Sequence, residues 1–167
     1  AMGAGFFEFL DSGPDPSLPL PQGDRVVALQ NNHARWGDPE LRSLSDFVKW
    51  RTELKSVQEL SAFANVNRNL VSPSGAVHLV DIAEITASGL RVARVKPLLG
   101  RGLLEEDERP GAPPVIVISH AEWQLRFHGD RNVIGQQVQL GSEQRTVVGV
   151  MPEGFLFPIH HRYWVPL

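Results

Sequence analysis

Histidines are the residues of this sequence whose type could support metal binding or general-base chemistry. His160 and His161 are adjacent, and neighbouring side chains of an extended chain point to opposite faces, which is poor geometry for sharing a metal. His120 and His128 fall at the two ends of one predicted helix, and no two histidines have the i, i+4 spacing of helical ligands. The sequence therefore predicts no metal site.

Carboxylates provide the other candidates for acid–base chemistry. Asp81 and Glu84 could serve a soluble hydrolase together with a histidine, although their spacing identifies no catalytic pair and both also suit a solvent-facing strand. A concave pocket joining these side chains would distinguish this alternative. The acidic run 105–108 lacks the alternating Asp/Asn positions and the glycine of a calcium loop, which favours a solvated surface loop.

Several further kinds of chemistry are excluded by residues that the sequence does not contain. It has no cysteine, so thiol nucleophiles, disulfides and thiolate metal sites are absent. It also has no Gly-x-Ser-x-Gly nucleophile elbow and no Gly-x-x-x-x-Gly-Lys-Ser/Thr phosphate loop. We therefore expect no catalytic residues, no cofactor and no enzymatic activity.

One aromatic residue is a candidate contact point for a partner. Trp36 lies in a polar loop beside Arg35 and Asp38, where an exposed ring would suit a binding surface. Trp50 and Trp123 instead lie on predicted helical ridges, which favours core packing. An exposed Trp36 and an open strand edge would support a second alternative, a free-standing module that binds peptides or other ligands.

Composition indicates one globular domain. The chain has 167 residues, of which 42% are hydrophobic and 21% charged, enough for a single core. The net charge of -3 gives no basic footprint for nucleic acid. No segment approaches the ~18–20 apolar residues of a membrane span and no secretory signal is present, so an extracytoplasmic location would require a signal or anchor outside this sequence.

Periodicity and turn residues predict the order of the elements. Four prolines between Ser12 and Gln22 indicate an extended segment, so residues 1–24 are interpreted as a proline-rich linker or an added segment, and residues 25–167 as the domain. Strands are predicted at 25–30, 59–71, 76–85 and 115–118, and helices at 45–54 and 87–93.

The region after residue 118 gives the most specific local signals. Ser119 and Glu122 form a capping box that starts a helix, and Gly129 is expected to end it. Residues 136–140 and 144–151 read as a hairpin around Gly141-Ser142, a pair with glycine first. Apolar residues on both faces of its second strand indicate a central position in the sheet.

The succession of these segments resembles the MacB-like periplasmic core domain of ABC transporter permeases of the MacB, LolC/LolE and FtsX type. The resemblance covers residues 18–167, and each segment alone is weak, whereas their collinear order is specific. The segments are LPLP (18–21), DRVV (24–27), SDFVKWR (45–51), NL (69–70), VKPLLGR (95–101), EED (105–107), PG (110–111), VIVIS (115–119), WQLRF (123–127), VIG (133–135), TVVGVMP (146–152), FLFP (155–158) and WVPL (164–167).

This resemblance implies an α+β fold with a mixed sheet and packed helices, in which a porter-type βαβ subdomain carries an inserted mixed lobe. It also implies a non-catalytic domain on the periplasmic face of the inner membrane, which couples ATP-driven movement of transmembrane helices to substrate export or to a partner protein. The implied partners are the transmembrane helices of the same permease, a cytoplasmic ATPase, and a periplasmic adaptor or substrate.

Three departures from the family pattern are present. Gly89-Leu90 replaces a pair of aromatic residues, and Arg94 stands where a glycine commonly ends a short helix. Because a non-glycine residue resists the left-handed conformation of such a helix stop, we expect the local path to differ. Relatives usually continue beyond the Trp-x-Pro-Leu tail, so we expect the membrane-proximal subdomain to be truncated at its C-terminal end.

Overall fold

The computed structural model describes residues 20–27, 44–71 and 75–167, with the backbone alone for residues 44 and 45. The helices are α1 (Leu44–Glu53), α2 (Ala87–Val92) and α3 (His120–Phe127), and 3-10 helices span Gly23–Arg25 and Arg131–Val133. The strands are β1 (Phe63–Val71), β2 (Val77–Ile85), β3 (Leu99–Gly100), β4 (Val115–Ile118), β5 (Gln137–Leu140), β6 (Glu143–Val150) and β7 (Tyr163–Pro166).

All seven strands belong to one mixed sheet in the order β3-β6-β4-β7-β2-β1-β5. Because β5 also pairs with β6, six of the strands form a closed circuit in which each strand pairs with the next. β3 lies outside this circuit and pairs with β6. The β2–β7 and β4–β6 pairs are parallel and the others antiparallel. The predicted α+β class with a mixed sheet is confirmed, as is the central position of β6.

Apolar layers cover both faces of this sheet, because successive side chains of a strand point in opposite directions. In β4, Ile116 and Ile118 enter one layer and the alternate valines enter the other. Trp123 and Phe127 of α3 pack into the first layer, whereas Leu90 of α2 packs into the second. The four consecutive buried residues of β4 are thus explained by helices on both sides.

Most local predictions agree with the structure to within one or two residues, including both helices before residue 94, β2, β4 and the β5–β6 hairpin. Gly141 begins the hairpin turn with a φ of 61°, the conformation for which glycine is suited. Trp123 lies in the core as predicted. Trp50 is half-buried and belongs to neither of the two layers that the described residues form.

The strand predicted at 25–30 is wrong in its described part. Residues 23–25 form a 3-10 helix, and residues 26 and 27 lie in no strand. Gln22 has a φ of 60°, and the Gly23 amide donates to the Leu20 carbonyl at 2.9 Å. These turns form local hydrogen bonds with backbone groups that would otherwise bond to a neighbouring strand. Residues 28–30 lie outside the described structure.

The strand predicted from residue 59 begins later, at Phe63. Pairing of β1 with β2 ends at Phe63 and Ile85, because the chain beyond Ile85 turns into α2. Thr86 continues the contact by a different route, since its hydroxyl accepts from the Ala62 amide at 3.1 Å. The short strand β3 was not predicted.

Two helix ends adopt left-handed conformations at non-glycine residues. Arg94 has a φ of 55°, so the expected change of path after α2 is wrong, and its guanidinium donates to Gln58 Oε1 at 3.0 Å. Helix α3 ends at Phe127, and His128 takes a φ of 52° before Gly129 at 71°. The left-handed stop therefore starts one residue earlier than the glycine predicted.

Candidate functional site

A buried polar cluster joins the first turn of α3 to β7. Ser119 Oγ accepts a hydrogen bond from the Glu122 amide at 3.2 Å, which is one half of the predicted capping box. The other half does not form, because the Ser119 amide donates to the Arg162 carbonyl at 2.8 Å. The Glu122 carboxylate turns away from the cap and accepts hydrogen bonds from the Tyr163 hydroxyl and from Arg126 Nε, the latter at 2.7 Å. Arg162 Nη1 donates to its second oxygen at 3.3 Å. Two elements far apart in sequence are thus connected through one carboxylate.

The electrostatics of this cluster favour a charged Glu122 although only 3% of the residue is exposed. Burial alone would raise the pKa of Glu122, but hydrogen bonds from Tyr163, Arg126 and Arg162, with the positive charge of Arg126, hold it below its usual value. Burial raises the pKa of Tyr163, and the hydrogen bond to Glu122 raises it further. The phenol therefore acts as a permanent donor and the carboxylate as a permanent acceptor, an arrangement that positions elements.

A second buried polar contact involves His161, which is 2% exposed. Its Nε2 lies 2.9 Å from Asn65 Oδ1 on β1, and its ring meets the Phe63 ring edge-on at 6.3 Å. Nδ1 has no hydrogen-bond partner among the described residues. Burial lowers the pKa of His161 to about 4, with the charge of Asp81 opposing the shift and His160 adding to it. His161 is therefore a neutral packing residue at neutral pH.

The two adjacent histidines lie in different environments, since His160 is exposed and His161 buried. The chain is not extended at His160, as the prediction assumed, because residues 157–160 form a turn. No group of three or more His, Cys, Asp or Glu side chains among the described residues could hold a metal ion.

Among the described residues, neither carboxylate considered for hydrolysis forms a hydrogen bond or an ion pair with a histidine. Glu84 forms an ion pair with Arg68 at 3.3 Å, and Asp81 is exposed and acts on His161 through its charge alone. A cavity of about 220 Å³ lies elsewhere, lined by Asp107, Glu108, Ala112, Pro113, Pro114, Glu143, Arg145, Pro166 and Leu167. Neither hydrolase candidate lines this cavity, so it does not provide the pocket that would distinguish a hydrolase.

Contacts made by the acidic run 105–108 hold its loop in place. The prediction that this run is a solvated loop is wrong for Asp107. This side chain is 8% exposed and binds the Arg101 guanidinium through both oxygens, at 2.6 and 2.9 Å. It also accepts a hydrogen bond from the Leu104 amide at 2.8 Å. Burial would raise the pKa of Asp107, whereas these bonds and the charge of Arg101 lower it below its usual value.

The same run connects the loop to two helices. The Glu108 carboxylate accepts a hydrogen bond from the amide of Ala87, the first residue of α2. Glu105 forms ion pairs with Arg91 of α2 at 3.2 Å and with Arg51 of α1 at 3.5 Å. The buried and capping contacts fix the loop, while the exposed pairs add little.

Trp36, the one residue predicted as a partner contact, lies outside the described residues. Within the described part of the chain, no helix has the length and apolar character needed to cross a membrane.

Comparison with known proteins identifies a family. The model of the MacB-like periplasmic core domain family matches residues 10–167. The comparison with curated protein sequences gave no match.

Three solved structures illustrate the likeness of this fold to transporter domains. The periplasmic region of MacB from Actinobacillus actinomycetemcomitans has a TM-score of 0.62 at 18% identity, with 86% of this chain and 58% of that chain covered. The extracellular domain of the ABC-type transporter YknZ from Gram-positive bacteria has a TM-score of 0.58 at 18% identity, covering 72% and 60%. A domain of a permease protein from Porphyromonas gingivalis has a TM-score of 0.53 at 15% identity, covering 71% and 54%. The chain thus spans less than two thirds of each.

Proposed function

The chain belongs to the MacB-like periplasmic core domain family, and on this premise we propose that it is the extracytoplasmic domain of an ABC transporter permease. The domain couples ATP-driven movement of transmembrane helices to substrate export or to a partner protein. The observation that carries this proposal is the family match over residues 10–167, and the likeness in fold to periplasmic and extracellular transporter domains supports it.

The proposed role involves no bond-making or bond-breaking by this domain. Its well-placed charged groups have structural partners: Glu122 is held by Tyr163 and Arg126, and Asp107 by Arg101. Salt bridges and hydrogen bonds of this kind hold a helix and a loop at fixed positions on the sheet. A domain whose helices are fixed to its sheet can transmit a displacement from one end to the other, which suits mechanical coupling.

The partners proposed for the domain are the transmembrane helices of its own permease, a cytoplasmic ATPase subunit or domain, and a periplasmic adaptor or substrate. Trp36 is proposed as a partner contact. Residues 1–24 are proposed as the linker and residues 25–167 as the core domain. The family match begins at residue 10, within the proposed linker.

Membrane topology tests the proposal directly. The segment has no cysteine, so Leu125→Cys on the exposed side of α3 introduces a single thiol into it. In the full-length protein with any other cysteines replaced, a membrane-impermeant maleimide should label this thiol in spheroplasts whose inner membrane is intact. Labelling that appears only after the membrane is lysed would place the domain in the cytoplasm and reject the proposal.

A further inference from the structure

The β1–β2 hairpin has a stretch of strand edge with which no strand of the described residues pairs. β1 and β2 pair over nine residues, from Phe63 with Ile85 to Val71 with Val77. On its other side β2 pairs with β7 only at Ala83, Glu84 and Ile85. Within the described part of the chain, no strand pairs with that side of β2 between residues 77 and 82. Among the described residues, no strand occupies the backbone amides and carbonyls of this stretch that point away from β1, so they can bind another strand.

Two apolar side chains, Val77 and Leu79, are exposed along this edge. Val77, Leu79 and Asp81 alternate along β2 and share one face, and Val77 and Leu79 are 60% and 70% exposed. Proteins usually protect a free edge with proline, lysine or a β-bulge. Residues 77–82 contain neither proline nor lysine, and their register with β1 shows no shift. This edge therefore has the features of a binding surface.

The charge of Asp81 limits which kind of strand can pair with this edge of β2. Asp81 is exposed, and among the described residues no cation forms an ion pair with it, whereas the nearby Glu84 is already paired with Arg68. A strand that brought a lysine or arginine opposite Asp81 would gain an attractive cross-strand pair. A second copy of this edge could not supply one, because residues 77–82 contain no lysine or arginine.

We infer that the β2 edge from Val77 to Asp81 binds an extended segment of a partner protein by strand addition. Main-chain hydrogen bonds hold such a segment, and its alternate side chains give specificity. The segment places apolar residues opposite Val77 and Leu79 and a lysine or arginine opposite Asp81. This inference does not depend on the location of the domain, so it can fail while the topology experiment succeeds.

Peptide binding to the purified chain tests the inference. The probe is a fluorescent peptide Lys-Thr-Val-Thr-Val flanked by serines, which in antiparallel pairing sets lysine opposite Asp81 and valines opposite Leu79 and Val77. Binding followed by anisotropy should be accompanied by slower hydrogen exchange of the amides between residues 77 and 82. A peptide with glutamate in place of lysine should bind about three- to tenfold more weakly, because a like-charge pair replaces an attractive cross-strand pair at Asp81.

Two sets of variants make the test specific. Asp81→Lys should reverse the preference, binding the glutamate peptide more tightly than the lysine peptide. Leu79→Lys should weaken binding, whereas Leu125→Lys, a change at an equally exposed leucine of α3, should leave it unchanged. Circular dichroism confirms that each variant is folded.

Three results would overturn the inference. They are the absence of peptide binding, binding that does not respond to the charge reversal at position 81, and protection of residues 77–82 by dimerisation of the peptide-free chain.

Discussion

Tyr163 donates its phenolic hydrogen bond to the carboxylate of Glu122, a residue 41 positions earlier in the chain. Tyr163 belongs to β7, in the middle of the sheet, and Glu122 to the first turn of α3. Both side chains are buried, so water cannot replace either partner if the contact is lost. This contact therefore fixes the helix to the sheet more strongly than the exposed ion pairs of the surface do.

Removing the charge of Glu122 should destabilise the domain. Glu122→Gln leaves Arg126 without its carboxylate partner in a mostly buried setting, and the free energy of unfolding should fall by about 1–3 kcal/mol. The matched control is Glu143→Gln, which breaks a half-exposed pair with Arg145 and should cost about 0–1 kcal/mol. Urea denaturation at neutral pH measures both, and equal losses would contradict a special role for Glu122.

The same carboxylate should contribute to acid sensitivity. Because the pKa of Glu122 is lower in the folded domain than its usual value, its stabilising effect is complete above about pH 4.5 and is lost as the pH falls through the folded-state value. The Glu122→Gln variant should therefore lose less stability than the unmodified chain over this acidic range, as followed by urea unfolding at a series of pH values.

Protonation of His161 should destabilise the domain at a higher pH. Its pKa falls from 6.5 to about 4 on folding, so its contribution is complete above the unfolded value and is lost as the pH falls from about 6.5 towards 4. At pH 5 the loss should be about 1–2 kcal/mol. His161→Gln should flatten the stability profile in this window, and the exposed control His78→Gln should not. Identical profiles for both variants would refute the assignment.

Backbone packing at Gly149 should be intolerant of a side chain. A Cβ atom at Gly149 would overlap the carbonyl oxygen of Arg101, where the chain leaves β3 beside β6. Gly149→Ala should therefore destabilise the domain by about 1–3 kcal/mol. Gly102→Ala is the control, because its Cβ would meet only the flexible Leu90 side chain, at 3.3 Å. Thermal unfolding that ranks the two variants in the opposite order would contradict the described β3–β6 contact.

Most helices and strands could be predicted from the sequence, because the signals for them come from residues that lie close together in the chain. The apolar run of β4, the Ser119 cap of α3 and the glycine-first turn at Gly141 act over a few positions, and all three appear in the structure. The order of strands could not be derived in this way. Insertion of β7 between β2 and β4, and closure of the circuit by β5, depend on contacts between distant segments.

The polar cluster illustrates the same limit. From the sequence alone, Glu122 is explained by its capping box with Ser119, and nothing nearby indicates that its carboxylate faces Tyr163. Asp107 was assigned to a solvated loop for the same reason, since its partner Arg101 is recognisable only once the loop is folded. Sequence reasoning excluded several kinds of catalytic site and identified the resemblance to the family, but long-range polar contacts required the structure.

The proposed coupling predicts that this domain moves as one body when a permease that contains it uses ATP. Its most direct test is a distance measurement by double electron–electron resonance on the full-length permease in lipid nanodiscs. One spin label is placed at Leu125→Cys and a second in a transmembrane helix. The distance should shift when ATP binds and return after hydrolysis, while the distance between labels at Leu125→Cys and Leu98→Cys within the domain stays constant. A distance to the membrane that is the same in every nucleotide state would contradict the account.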